Sequence, residues 1–398
     1  MAHIRKPRPA SPFRSALPLA LALLAGVASG IPGDARAQAL ETRAREALLV
    51  DFETGTILLD KNSEELMPPS SMSKLMTSLM VFERLKEGSL SLDEKFRVSE
   101  NAWRKGGAAS GGSTMFLEPH AEVRVEDLLR GIIIQSGNDA CVVVAENLMG
   151  SEEDFARAMT KRAREIGLTK SVFMNATGLP DAGHLMTARD LATLARYIIN
   201  TFPEYYSLYS EMKFVYNGIT QSNRNPLLYT MRGADGLKTG HTSIAGYGLT
   251  ASATEGERRQ ILVINGLESV KARSEEAQRL MDWGFRNFEN RRLFTAGETV
   301  TTAEVWLGQA DSVGLVIDRD LKLTVPRRAA QNLEVKVTYS GPLAAPVEKG
   351  QQVATLTIGG TDMKTMEFPL VAAEDVPRLG FVGRIGAAMR HLVFGFAS

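Results

Sequence analysis

The chain has 398 residues, 46 Lys and Arg against 46 Asp and Glu, and one cysteine. That length can bury a full core and reads as two domains, and the balanced charge carries no electrostatic footprint for nucleic acid. Cys141 alone excludes an internal disulfide and a Cys-rich zinc site, and the five histidines (His3, His120, His184, His241 and His391) include no i, i+4 pair of a helical metal site.

The N-terminus reads as an export segment. Arg5, Lys6, Arg8 and Arg14 form a basic start, 16–28 is an apolar run too short to span a bilayer comfortably, and Ala35-Arg36-Ala37 is a small-residue cleavage site. Cleavage before Gln38 leaves 41 basic and 45 acidic side chains, a net charge of −4. The mature chain opens with 47–52 and 56–59, two strand-like runs joined through Glu53-Thr54-Gly55, a hairpin pattern.

Pro68-Pro69-Ser70 breaks the chain, and a helix is expected from Ser71 to Lys86, ending near Gly88. It opens with Ser71-Met72-Ser73-Lys74. A serine and a lysine three apart on a helix share a face. The helix start favours developing negative charge, and a lysine of lowered pKa can take the hydroxyl proton. Ser71 is thus a candidate nucleophile with Lys74 as partner. The stretch 106–113 is glycine-rich but lacks the G-K-[ST] ending of a phosphate loop, and is read as a mobile rim.

Apolar Leu128, Leu129, Ile132 and Ile133 mark a helix over 125–134. It stops at Ser136-Gly137-Asn138, and helix resumes over 139–149. In that polar turn Ser136 can relay a proton, and the Asn138 amide can hold a substrate amide. Helices follow over 152–166 and 187–200, separated by the turn cluster Thr177-Gly178-Leu179-Pro180-Asp181, with His184 expected in a surface loop. Then comes Lys238-Thr239-Gly240-His241-Thr242, preceded by a turn at 233–236 and followed by strand-like runs at 246–254 and 259–266. Lys238 at the head of a strand can attract a carboxylate, Thr239 adds a donor, and Gly240 lets a substrate backbone lie against the strand.

Beyond about Arg292 the character changes to short alternating runs (301–307, 312–317, 321–325, 333–339 and 352–358), the pattern of a small all-β domain. The last stretch, 379–396, places Val382, Ile385, Met389, Leu392, Val393 and Phe396 at 3- and 4-residue steps, with Arg384 and His391 opposite. That is an amphipathic helix suited to a membrane interface.

S-x-x-K, then S-G-N, then K-T-G is the pattern of the penicillin-recognising serine enzymes. The stretches Thr114-Met115-Phe116-Leu117, 134–141, 238–242 and Asp282-Trp283-Gly284-Phe285-Arg286 make the whole mature chain resemble the low-molecular-weight D-alanyl-D-alanine carboxypeptidases of the penicillin-binding protein 5 and 6 type. The resemblance implies an α/β (α+β) fold of the serine β-lactamase/DD-peptidase-like transpeptidase kind, an antiparallel sheet with a helical subdomain. The expected division is a signal peptide at 1–37, a catalytic domain at 38–292, an all-β domain at 293–377 and a membrane-anchoring helix at 378–398.

The resemblance also implies roles. Ser71 is acylated, Lys74 is its base, Ser136 passes the proton on and Asn138 orients the substrate amide. Lys238 supplies positive potential and helps keep Lys74 neutral; Thr239, Gly240, His241 and Thr242 line the substrate strand. The backbone N–H groups of Ser71 and His241 form the oxyanion hole. Arg259 binds the terminal carboxylate, with Arg258 as its rival on the opposite face of the strand. No metal or organic cofactor is implied. The implied partners are the peptidoglycan stem peptide, β-lactams as inhibitors and the periplasmic face of the inner membrane.

Three other readings are open. A class A β-lactamase would need a deacylating glutamate, for which Glu165 lies at a comparable distance but at a helix end and without the expected asparagine partner. An endopeptidase cutting D-alanyl cross-links uses the same chemistry. A catalytically idle peptidoglycan-binding scaffold belongs to a different class.

Overall fold

The computed structural model describes residues 40–360 and 363–386; the expected export segment and most of the expected terminal helix lie outside the described residues. The chain divides into two compact units, the first spanning Thr42–Asn287.

The first unit is built on a five-stranded antiparallel sheet. Its strands are β1 (Glu46–Asp51), β2 (Ile57–Lys61), β3 (Ala234–Thr242), β4 (Gly246–Glu255) and β5 (Arg258–Leu267), in the order β2-β1-β5-β4-β3. β3 is therefore an edge. The expected strand head at Lys238 lies mid-strand, because 234–236 is a bulged start of β3 rather than a separate turn. β5 is covered on both faces. Gly284 of α5 (Val270–Asn287) lies against Gln260, while Ile261 and Val263 point the other way into the helical core.

That core joins α1 (Lys74–Glu87), α2 (Asn138–Met149), α3 (Glu152–Glu165) and α4 (Ala188–Thr201). Each has a local reason to begin or end where it does. α1 stops at Gly88, whose φ of 73° suits a residue without a Cβ. Ser151 and Thr187 cap α3 and α4 by accepting the N–H of Asp154 and Asp190. The helix expected over 125–134 is in fact α-helical only over Val125–Arg130; Gly131–Gln135 widens into a π turn that ends on Ser136 in the left-handed region. Such turns recur where a helix must present a side chain to a site.

The second unit, from Phe288 onward, carries a six-stranded sheet. Its order is Glu334–Thr338, Gln352–Gly360, Met363–Ala372, Ser312–Val316, Thr299–Trp306 and Leu343–Ala344. A separate pair joins Phe288–Phe294 to Leu321–Pro326, so the expected boundary at 292/293 falls inside a strand. Met363–Ala372 is a strand beyond the runs named from the sequence, and its Pro369 sits opposite Thr355. Leu315, Leu356, Ile358 and Leu370 fill this unit's own core. Residues 381–386 are helical, and Phe381 and Val382 are 71% and 82% exposed. Among the described residues no helix is long and apolar enough to cross a membrane.

Phe82 is the aromatic centre of the first core, with ring centroids 6.0, 5.4 and 6.2 Å from Phe202, Tyr205 and Tyr209. Phe82→Ala should lower stability by about 3–5 kcal/mol, read by denaturant unfolding. A loss below about 1 kcal/mol would mean that the helices do not depend on this cluster.

Candidate active site

Ser71 lies in a 3-10 turn, Ser70–Ser73, that runs directly into α1. Two glycines let other segments press on this turn. A Cβ on Gly178 would stand 2.0 Å from the Ser70 carbonyl oxygen, and one on Gly240 would stand 3.0 Å from the Pro69 carbonyl oxygen. The loop after α3 and the edge strand β3 thus both close on the turn. Ser70 is itself held at a φ of 51°, and its hydroxyl meets that of Thr242 at 3.4 Å. Ser71 remains partly open to solvent, while Met72, Ser73 and Lys74 are buried.

Lys74 has no exposed surface. Its Nζ lies 3.0 Å from Ser71 Oγ, 2.8 Å from Asn138 Oδ1 and 2.6 Å from the Thr177 carbonyl oxygen. Burial pushes its pKa down from 10.5 to about 8, and Arg224 adds to that, against the pull of Asp139, Glu152 and Cys141. The partners then select an orientation. Asn138 Oδ1 and the Thr177 carbonyl can only accept, so they take the two N–H bonds of a neutral amine. The lone pair is left facing the Ser71 hydroxyl. This is the geometry of a general base on its nucleophile.

Ser136 sits at a φ of 67° at the end of the π turn, and its buried Oγ has no hydrogen-bond partner among the described residues. Asn138 begins α2 with Oδ1 given to Lys74, which leaves its Nδ2 for a substrate. A Cβ on Gly112 would come within 2.7 Å of that Nδ2, so the glycine-rich stretch lies directly over the turn. Asp139 anchors this arrangement. Its carboxylate accepts the Thr114 hydroxyl at 2.6 Å and the backbone N–H groups of Met115 and Leu117.

On β3, Lys238 is 2% exposed and donates to the Thr239 carbonyl oxygen at 3.2 Å. Burial, with Lys74 and Arg224 nearby, holds its pKa well below the usual lysine range. Thr239 and Gly240 continue the strand opposite Leu249 and Gly248, and the His241 ring stacks on Tyr247 at 3.9 Å. Thr242 Oγ1 also receives the Ala245 N–H. Ser71, Lys74, Ser136, Asn138 and the strand from Lys238 to Thr242 therefore converge.

Arg259 is not brought to this cluster. It is paired with Asp235 at 2.6 Å and donates to Ser252 Oγ at 2.6 Å. Arg258, on the other face, is paired with the fully buried Asp51. The guanidinium groups that bear on Lys238 are instead Arg224 and Arg273, which the sequence reading missed. Arg224 donates to Ser113 Oγ at 2.5 Å. Arg273 is 6% exposed, lies 5.9 Å from the Tyr247 ring, and is lowered by burial to about 10. Both arise outside the three motifs, so no spacing rule points to them.

His184 is buried rather than on the surface. Its Nδ1 accepts the Met174 N–H, its ring meets Phe173 edge-on, and burial pulls its pKa to about 4. Glu165 is the last residue of α3, half-exposed and tied to Arg162 at 2.9 Å. Among the described residues no group of three or more His, Cys, Asp or Glu side chains could hold a metal ion.

The profile of the D-alanyl-D-alanine carboxypeptidase family matches residues 34–269, and that of the penicillin-binding protein 5 C-terminal domain matches residues 288–378. The chain is 39% identical over 345 residues to the D-alanyl-D-alanine carboxypeptidase DacC of Escherichia coli, covering 86% of each. It is 34% identical over 357 residues to DacF of Bacillus subtilis, covering 87% of this chain and 89% of that one. Among solved structures, penicillin-binding protein 5 of Haemophilus influenzae is similar with a TM-score of 0.75 at 35% identity, covering 85% of this chain and 99% of that one. The carboxypeptidase DacD of Francisella tularensis is similar at 0.79 and 30%, covering 86% and 96%.

If Lys74 is the base for Ser71 it must be neutral to accept the proton, so acylation by a β-lactam should rise with pH through about 8 and level off above it. Arg224→Ala removes a cation that disfavours the charged lysine, so the midpoint should move to higher pH. Stopped-flow acylation across this range reads both; a rate independent of pH would remove Lys74 as the base.

Proposed function

The chain belongs to the D-alanyl-D-alanine carboxypeptidase family and is a serine hydrolase of the penicillin-binding protein 5 type, and on that premise we propose how its residues divide the reaction. Ser71 Oγ attacks the carbonyl between the last two D-alanines of a peptidoglycan stem pentapeptide while its proton passes to Lys74. The C–N bond breaks, and the proton reaches the departing amine through Ser136, whose hydroxyl is unpaired among the described residues. D-alanine leaves. Water then attacks the Ser71 ester, the ester C–O bond breaks, and the proton returns to Ser71. The supporting observation is the Lys74 amine, buried and shifted toward neutrality, with its two N–H bonds assigned away from the nucleophile.

The oxyanion is assigned to the backbone N–H groups of Ser71 and His241. Asn138 Nδ2 takes the carbonyl of the penultimate amide, and Thr239 and Gly240 border the peptide as it lies along β3. The terminal carboxylate is assigned to the electropositive ground of Lys238, Arg224 and Arg273. Among the described residues no carboxylate forms an ion pair with Arg273, whereas the charge of Arg259 is already matched by Asp235. A β-lactam enters the same place and acylates the same serine.

We read location from two segments of the sequence. The basic-apolar start implies export, and the terminal helix implies docking on the outer face of the inner membrane. The exposure of Phe381, Val382 and Ile385 supports that docking; residues 387–396 lie outside the described residues.

The protein from Gln38, with its Ser71→Ala and Arg273→Ala variants, should be incubated with a pentapeptide ending in D-Ala-D-Ala and with a cross-linked muropeptide dimer. Mass spectrometry should show loss of one alanine from the pentapeptide, abolished in Ser71→Ala. Arg273→Ala should lower kcat/KM by about 10–10²-fold, the worth of a charge-assisted hydrogen bond. Cleavage of the dimer alone would make the enzyme an endopeptidase, and no turnover with no penicillin adduct would leave a scaffold.

A second test uses sedimentation with anionic phospholipid vesicles. The protein from Gln38 should co-sediment, and truncation after Pro377 should release it. Equal binding of both forms would remove the anchoring role.

A further inference from the structure

Lys74 needs two fixed acceptors if its lone pair is to face Ser71. Asn138 Oδ1 is one, on the rigid start of α2. The other, the Thr177 carbonyl, lies in an irregular loop, where a peptide group can rotate. One side chain fixes it. Asn175 Oδ1 accepts the Thr177 N–H at 3.1 Å, the Thr177 hydroxyl at 2.9 Å and the Gly178 N–H at 2.8 Å. Asn175 Nδ2 donates to the Leu179 carbonyl oxygen at 3.0 Å, and the Leu179 N–H returns to Thr177 Oγ1 at 3.1 Å. The peptide groups on both sides of the Thr177 Cα are thus held by a single amide.

We infer that Asn175 is a positioning residue for proton transfer: it locks the Thr177 carbonyl toward Lys74 and thereby turns the lysine lone pair onto Ser71. This rests on Lys74 being the base. With the carbonyl free to swing away, a neutral Lys74 would turn an N–H toward Ser71 Oγ, an orientation that cannot receive the proton. A misplacement of this kind, about 1 Å from a productive geometry, typically costs about 10²-fold in rate.

The rest of the loop does not depend on Asn175. Ala176 is held separately, its N–H by Glu152 Oε1 at 3.2 Å and its carbonyl by Thr77 Oγ1 at 2.7 Å. The Met174 N–H goes to His184. Substitution therefore loosens Thr177–Leu179 without freeing the segment. The titratable and charged groups around Lys74 are Cys141, Arg224, Asp139, Glu152, Lys238 and His184, and none is altered by the change.

The test uses the full mature chain with Asn175→Ala, Asn175→Asp and Lys74→Ala, acylated by a chromogenic β-lactam at saturating and sub-saturating concentrations across the pH range of the Lys74 shift. Asn175→Ala should lower the limiting acylation rate by about 10²-fold with pre-acylation binding unchanged. Asn175→Asp keeps the oxygen that makes three of the four bonds, so it should recover much of the rate. Its carboxylate favours a charged Lys74, so its acid limb should move to higher pH. An Ala variant that acylates at the wild-type limiting rate, or an Asp variant as slow as the Ala variant, would overturn the inference. If the Ala variant does not fold, the rate and limb of the Asp variant decide alone. Lys74→Ala separates the two readings: if it still acylates, the base assignment fails and this inference with it. If it is dead while Asn175→Ala is unimpaired, only the positioning role fails.

Discussion

A lysine amine without any exposed surface must find its partners inside the protein or lose its charge. Lys74 does both in part. The displacement of its pKa from 10.5 to about 8 corresponds to about 3 kcal/mol against the charged form. Its three contacts come from three separate stretches of chain: the nucleophile turn, the start of α2 and the loop after α3. The rest of the first unit can be seen as what holds those stretches at hydrogen-bonding distance. α1 carries the lysine into the helical core, the π turn and Asp139 set the start of α2, and β3 closes the far side.

Close approach is the recurring means. Gly112, Gly178 and Gly240 each stand where a methyl group would meet the backbone or an essential amide. Their absence of a side chain is a packing requirement, because an alanine there would push apart the groups proposed to share a proton. Ser70 and Ser136 add strain of a different kind, both in the left-handed region although neither is glycine. Residues held in such conformations cluster where a side chain must be aimed rather than merely packed.

Much of this was legible in the sequence, for a physical reason. Ser71 with Lys74, Ser136 with Asn138, and Lys238 with Gly240 are each close in the chain, so helix and strand periodicity alone relates them. What could not be read is what tertiary packing assembles. Arg273 belongs to α5 and Arg224 to a turn, and only the closing of the sheet brings both to Lys238. Arg259 has the right face by alternation, yet Asp235 neutralises it, and no spacing rule predicts a counter-ion. His184 looks like a loop residue because its neighbours are turn formers; it is buried because Phe173 and Met174 fold over it. In the second unit, Pro369 hides a ten-residue strand that tolerates it.

Lys238, Arg224 and Arg273 are brought together, with Lys74 beside them shifted toward neutrality. Held together, they repel one another and resist dehydration, so this site is a local weak point in an otherwise well-packed unit. The carboxylate proposed to bind there would relieve that tension, and the protein should be hardest to unfold with it bound. The same feature limits how the fold can be improved. Substitutions that relax this cluster would toughen the molecule and blunt its chemistry together, so robustness gained by drift has to accumulate elsewhere.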